Sequence, residues 1–322
     1  RRRDPEREMW DGRMVGLEAA VSEYGMDEAH DIKEAEQRLR EMLQDRERIF
    51  YDLGRHPLFD QRLISWLNEF RGTARKTFHA PEEIHALDHM LHDMRVYKSR
   101  EELSVMRRSA KVAIEAHETA MRSCAPGMSE ADIHAGLMHT FIRNRCEASY
   151  LPIVAGGANA CVLHYITNDE DLRDGDLLLI DAGAELDGYA SDITRTMPVS
   201  GRYTGQQREI YEVVLDAQLQ AIAAASPEKT NKDLHLIACR AIASGLKNVG
   251  LMKGDVDEAV AAGAHALFFV HGLGHMMGLD HSSNQDATMF ATAEGGETMN
   301  RPGPGRVVVL VAVAVALAMG AA

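Results

Sequence analysis

Leu177-Leu178-Leu179-Ile180-Asp181-Ala182-Gly183-Ala184-Glu185-Leu186-Asp187-Gly188-Tyr189-Ala190-Ser191-Asp192 is the stretch on which the fold reading turns. An apolar run ends in an aspartate, passes an Asp-Gly pair and returns, which is the signature of a β-hairpin. With the turn centred between Leu186 and Asp187, residues 181 and 192 are equidistant from it and directly opposed on one face of the sheet. Their β-carbons would then stand roughly 4.5–5.5 Å apart, where two bare carboxylates destabilise the pair or force one to keep a proton. A divalent cation removes that conflict. Carboxylate oxygens suit manganese, magnesium or calcium, and a nearby imidazole shifts the choice toward manganese, iron, cobalt or zinc. The alternative is two unrelated surface aspartates in a glycine-rich loop, and a β-bulge would alter the register.

The imidazoles come later in the chain. His271-Gly272-Leu273-Gly274-His275 follows the apolar Leu267-Phe268-Phe269-Val270, so the motif is expected where a buried segment emerges. Two glycines, each costing about 1 kcal/mol against alanine, argue against a helix there and let the backbone pass close to a ligand. His275 is a candidate metal ligand and His271 a candidate for the substrate side of the same cavity. His164, in Leu163-His164-Tyr165, is a further candidate. Satisfied structural histidines are the competing reading of all three.

Around this centre the periodicity predicts helices over 27–50 and 58–71, then a long one from about Lys98 to Cys124, ended by Pro126-Gly127. Ser129 is expected to cap the next helix, with Asp132 in the capping-box position. Short strands are expected over 151–155, 161–166 and 177–180, and two further helices over about 204–225 and 232–248. Helices flanking a mainly antiparallel sheet give an α+β class. Weakening periodicity near His92 to Ser99 places a domain boundary at residue 95.

At 322 residues the chain is long enough for two domains. It is 45% hydrophobic with a mean hydropathy of −0.25, as in proteins that fold in water. A formal charge of −14, from 35 basic and 49 acidic residues, repels phosphate backbones and anionic lipid, so neither nucleic acid nor membrane is an expected partner. Arg1, Arg2 and Arg3 are offset at once by Asp4, Glu6 and Glu8. Cys124, Cys146, Cys161 and Cys239 have no short paired spacing, and no apolar signal segment opens the chain, which together suggest a reducing cytoplasm. The absence of an initial methionine suggests a missing natural start.

These motifs resemble the aminopeptidase P group of the pita-bread metallopeptidases. The carrying segments are Ile180-Asp181-Ala182-Gly183, Gly188 through Thr196, Leu163-His164-Tyr165, and His271 through His275 with Gly278-Leu279-Asp280. Asp4 to Glu8 and Trp10-Asp11-Gly12 resemble that group's N-terminal domain. The resemblance implies a pita-bread (creatinase/aminopeptidase) domain over 96–290, preceded by a partial creatinase-like N-terminal α/β domain over 1–95. It implies hydrolysis of the bond between an N-terminal residue and a following proline, two divalent ions with manganese foremost, and homo-oligomers. Asp181 would bind one ion, Asp192 both and His275 the other, with His164 and His271 holding substrate.

The chain departs from the pattern after Asp280. The two glutamates that complete the family site are absent in their contexts, His281-Ser282-Ser283 replaces the expected continuation, and Glu294 and Glu297 match neither ligand context. The text from 281 onward resembles truncated or frame-shifted coding, and 291–322 reads as an aberrant apolar tail. Its Val307–Ala322 end, 16 residues long, falls short of the ~20 needed to cross a bilayer. Loss of two carboxylates leads us to expect weakly held ions and impaired turnover. The competing functions are a non-catalytic pita-bread scaffold that binds peptides or a partner, a prolidase with the same ligands, and a metal-free hydrolase of the creatinase type.

Overall fold

Side-chain caps decide where most of the helices begin. The computed structural model describes residues 3–72 and 79–279, and the chain divides into two units, Arg1–Met94 and Arg95–Ala322. In the first, Asp4 caps α1 (Pro5–Asp11) by accepting from the amides of Glu6 and Arg7. There follow α2 (Gly16–Ser22), α3 (Ala35–Leu43), β1 (Arg48–Phe50), α4 (Pro57–Gly72), β2 (Glu83–His85) and α5 (Leu87–Val96). β1 and β2 pair in parallel, Ile49 opposite Ile84. The buried face of α4, Leu63, Trp66, Leu67 and Phe70, forms a small core with Leu43, Ile49, Tyr51 and Phe59.

The helix expected over 27–50 is much shorter. Asp45 takes a left-handed φ of 57° and its carboxylate accepts from the His79 amide at 2.8 Å, so the chain turns and Ile49 enters a strand. The helical spacing of Leu39, Met42, Leu43 and Ile49 did not register that break.

In the second unit α6 (Arg100–Ser123) and α7 (Glu130–Arg143) both start in full capping boxes, Ser99 with Glu102 and Ser129 with Asp132. Next come β3 (Glu147–Ala148), β4 (Ile153–Gly156), a 3-10 turn at Gly157–Cys161, β5 (Leu177–Ala182), β6 (Ala184–Leu186), β7 (Tyr189–Ala190) and β8 (Ile193–Pro198). These form two antiparallel three-stranded sheets, ordered β3-β6-β7 and β4-β5-β8. Ala113, Ala116, Ile133, Leu137 and Phe141 of α6 and α7 pack on Val154, Leu178 and Ile180 of the second sheet. A separate core joins α8 (Gly205–Ala224), α9 (Asn231–Asn248) and α10 (Val256–Ala261) to Phe269 and Leu273.

Two expectations fail here. Residues 161–166 form turns, not a strand: the Val162 and Tyr165 amides donate to Asn159 and Val162 carbonyls, and Val162, Leu163 and Ile166 are exposed. The apolar run 267–270, expected to be buried, is buried only in part. It follows a 3-10 turn at Ala264–Leu267, and Leu267 is 80% and Val270 59% exposed while Phe269 is buried.

The hairpin register differs from the sequence reading. Leu186 faces Tyr189 and Asp181 faces Thr194, so the two-residue turn is Asp187-Gly188, with φ of 53° and 81°. Positive φ at both positions is the turn geometry that matches strand twist, and Asp-Gly supplies it. Asp181 and Asp192 are therefore not direct partners. Asp192 lies two positions before Thr194, and an offset of two keeps it on the face of Asp181, whereas an offset of one would have reversed it.

The junction between β5 and β6 is tight. A β-carbon on Gly183 would lie 1.7 Å from the Ser191 carbonyl oxygen, the Ser191 hydroxyl donates to the Ala184 carbonyl at 2.8 Å, and the Ser149 hydroxyl donates to the Ser191 carbonyl at 2.9 Å. Gly183→Ala must push the Ser191–Asp192 backbone away. We expect a loss of about 3 kcal/mol in urea unfolding, at the upper end for overpacking; an unchanged midpoint would contradict this packing.

Buried Glu130 braces the turns that follow β4. Its carboxylate accepts from the amides of Gly156 and Glu170 at 2.7 and 3.1 Å, from Asn159 Nδ2 at 3.0 Å and from the Tyr165 hydroxyl at 2.7 Å. Burial, then this hydrogen bond, pushes the Tyr165 phenol up to about 12.

Candidate metal centre

Three separate segments converge on Asp192. β4 pairs with β5 so that Ile153 faces Asp181, which brings the preceding Tyr150 over the aspartates. The Tyr150 hydroxyl lies 2.5 Å from Asp181 Oδ1 and 2.9 Å from Asp192 Oδ1. A phenol has a single proton, so it can donate to one carboxylate at a time. Burial, followed by the charges of Asp181 and Asp192, holds that proton well above the ordinary phenol range.

The third segment is the histidine turn. The Ala190 amide donates to the Gly278 carbonyl at 3.2 Å and Tyr189 bridges to Leu279, which fastens the end of the turn beside β7. Gly274 takes a φ of 60°, and Leu273 is buried in the helical core. His275 then stands with Nε2 2.9 Å from Asp192 Oδ2 while its Nδ1 donates to the Met276 carbonyl at 2.9 Å. With Nδ1 donating, Nε2 can donate as well only in the imidazolium form. The hydrogen bond to Asp192, partly opposed by burial, accordingly raises the His275 pKa.

Asp192 is thus the shared member, one oxygen toward Tyr150 and Asp181, the other toward His275. Thr194, directly across from Asp181, has a buried hydroxyl oxygen without a partner. Two crowded carboxylates, an imidazole nitrogen aimed at one of them with its other nitrogen tethered to a carbonyl, and an orphaned hydroxyl form a donor set that fits divalent ions. Asp181, Asp192 and His275 are the residues that would hold them.

The remaining candidates lie on other turns of the same unit. His164 is exposed after the 3-10 turn 157–161, outside the Tyr150 cluster. His271 Nδ1 donates to the Gly272 carbonyl at 2.9 Å, and the ring sits edge-on to Phe269 with centroids 4.9 Å apart. His281, Glu294, Glu297 and the 291–322 tail lie outside the described residues, as do Arg1 and Arg2. Sequence reasoning missed Tyr150 and Thr194. Thr194 would have followed from a correct turn centre; Tyr150 carries no local signal.

With this geometry in hand, comparison with known proteins is direct. Residues 104–308 match the model of metallopeptidase family M24, and residues 1–51 match the aminopeptidase P N-terminal domain. The chain belongs to metallopeptidase family M24, in its pita-bread fold with an aminopeptidase P type of N-terminal domain ahead of it. It is 40% identical over 279 residues to the Xaa-Pro aminopeptidase of Escherichia coli, covering 86% of this chain and 63% of that protein. It is 38% identical over 281 residues to the Haemophilus influenzae enzyme of the same name, covering 87% of this chain and again 63% of the relative. The structure of aminopeptidase PepP from Pseudomonas aeruginosa superposes with a TM-score of 0.84 at 45% identity, over 87% of this chain and 64% of that one. A zinc-substituted E. coli aminopeptidase P with bound product superposes at 0.83 and 39% identity, over 89% and 67%. The chain therefore spans somewhat under two thirds of the length of these curated relatives. Among the described residues, no helix is long and apolar enough to cross a membrane.

The His275–Asp192 pair sets a pH dependence. Because the folded pKa of His275 is raised, the pair stabilises fully below the unfolded histidine value of about 6.5 and loses this contribution as pH rises through the folded value. Without added metal, stability of the chain should fall across that window and His275→Ala should flatten the fall; equal pH profiles in urea unfolding would contradict the pairing. A divalent ion held by His275 would expel the same proton, so calorimetric titrations near neutrality with such an ion should report proton release that His275→Ala removes.

Proposed function

We propose that this chain is a metallo-aminopeptidase that hydrolyses the bond between an N-terminal residue and a following proline. The observation that carries the reading is Asp192 standing between Asp181 on one side and His275 on the other, in a chain of family M24 whose relatives bear the name Xaa-Pro aminopeptidase. In this reading Asp181, Asp192 and His275 hold two divalent ions, with manganese as the working metal. When bound, these ions supply Lewis-acid polarisation of the scissile carbonyl and a low-pKa water.

The chain's own residues do the positioning. Tyr150 orients the two carboxylates from the β4 side. Asp192 divides its oxygens between neighbours, and the Met276 carbonyl fixes the His275 ring. In the same reading His164 and His271 take the substrate roles of binding the peptide and donating to the developing oxyanion. We further assign 1–95 and 96–290 as the domains, a homo-oligomeric assembly and a cytoplasmic location. Because the sequence contains no Glu-Pro-Gly turn, we also expect weaker ion binding and slower turnover than in the relatives.

The test is hydrolysis of an Xaa-Pro-Yaa tripeptide by the purified chain with manganese. We expect slow, manganese-dependent release of the first residue, reduced at least about a hundredfold by Asp192→Ala, the scale of losing one transition-state stabiliser. Cleavage of the Xaa-Pro dipeptide alone would instead favour a prolidase. No hydrolysis together with no manganese binding would leave the non-catalytic scaffold. Turnover equal to that of the E. coli relative would overturn the impairment.

A further inference from the structure

A second cluster of soft ligands sits in the helical half of the same unit. His235 and Cys239 are four residues apart and therefore neighbours on one face of α9, and His265 approaches from the 3-10 turn Ala264–Leu267. One ligand atom from each of the three lies within 4.8 Å of the others. His235 Nε2 is 3.4 Å from Cys239 Sγ, and the rings of His235 and His265 are 6.1 Å apart, edge to face. Cys239 is fully buried, while both histidines are partly accessible.

The bland reading is a buried thiol that donates to His235 Nε2. It accounts for one contact and leaves two polar atoms stranded. His235 Nδ1 and His265 Nδ1 are both buried without a hydrogen-bond partner, although buried ring nitrogens in native proteins are ordinarily satisfied. His235 already turns Nε2 to the thiol, its Nδ1 lying on the far edge of the ring, and a second imidazole with an unpartnered nitrogen beside that pair is the pattern of an incomplete coordination shell. Tetrahedral zinc, with nitrogen at about 2.0–2.1 Å and sulfur at about 2.3 Å, places its ligands roughly 3.5 Å apart. The His235–Cys239 pair already has that spacing, and His265 needs to close by about 1 Å on a short turn to reach it.

We propose that His235, Cys239 and His265 form a separate binding site for a single thiophilic divalent ion such as zinc, which clamps the Ala264–Leu267 turn to α9. Three protein ligands leave a fourth position for water. On binding, the Cys239 thiol gives its proton to solvent and its sulfur lone pair to the ion, with no change of oxidation state. Burial pushes that thiol up to about 11, so the proton competes with the ion and affinity rises with pH. Burial also lowers the His235 pKa, which keeps that imidazole in its ligating form. The site touches the histidine turn: Phe269 packs on His235 with centroids 5.2 Å apart and on His271 at 4.9 Å. An ion that fixes His235 therefore fixes the ring on which His271 rests.

Cobalt titration of the whole chain tests this directly. The Asp181→Ala/Asp192→Ala background removes the other cluster, so failure there and failure here are distinguishable. At mildly alkaline pH we expect one equivalent of cobalt to produce the near-ultraviolet charge-transfer band of a thiolate ligand. Cys239→Ser should abolish the band, and His265→Ala should weaken binding at least about tenfold. Zinc should raise the melting temperature of the same background and fail to do so in His265→Ala, a partly exposed position whose loss leaves the core intact. Absence of the thiolate band, or cobalt spectra and zinc shifts unchanged by His265→Ala, would overturn the proposal.

Discussion

Holding two carboxylates against one hydroxyl is the constraint on which the rest of the M24 unit depends. Asp181 and Asp192, both within hydrogen-bond reach of the Tyr150 hydroxyl, repel unless a proton or cation stands between them, and the chain spends much of its architecture on keeping them together. The Asp187-Gly188 turn sets the register, the close approach of Gly183 to Ser191 fixes where Asp192 leaves the strand, and the capped helices α6 and α7 cover the opposite side of the sheet. His275 reaches Asp192 because the Gly278 and Leu279 backbone pairs with β7. Each of these contacts is ordinary. Their convergence on one partly buried point is what makes an ion the natural occupant.

Much of this was legible in the residues. The capping box at Ser129 and the helices over about 204–225 and 232–248 follow from local chemistry, and the Asp-Gly pair announced a hairpin. Its centre was misplaced by one residue, and the same-face conclusion survived only because the partner offset came to two. What could not be read were contacts between distant segments. Tyr150 meets the aspartates through a strand pairing 31 and 42 positions away. Glu130 uses its helix start to brace turns as far as Glu170. The apolar content of 161–166 suggested a strand and that of 267–270 a buried segment, but turn hydrogen bonds and the exposure of Leu267 show that hydrophobic runs without alternation do not fix a conformation.

The histidines divide in an instructive way. His275 is committed to Asp192, whereas His271 leans on Phe269 and, through it, on the soft-ligand cluster of α9. Cysteine spacing alone gave no hint of that cluster, because its third member comes from a turn 26 positions after Cys239. The segment from His265 to His275 therefore reaches the α9 cluster at one end and Asp192 at the other, with His271 between them.

The most direct measurement is anomalous diffraction at the manganese edge from crystals grown with manganese. The account predicts anomalous peaks in ligand range of Asp181, Asp192 and His275, the residues that would hold the ions, and displacement of the Tyr150 hydroxyl from at least one carboxylate. Ordered Asp181, Asp192 and His275 with no anomalous peak in ligand range of any of them would contradict it.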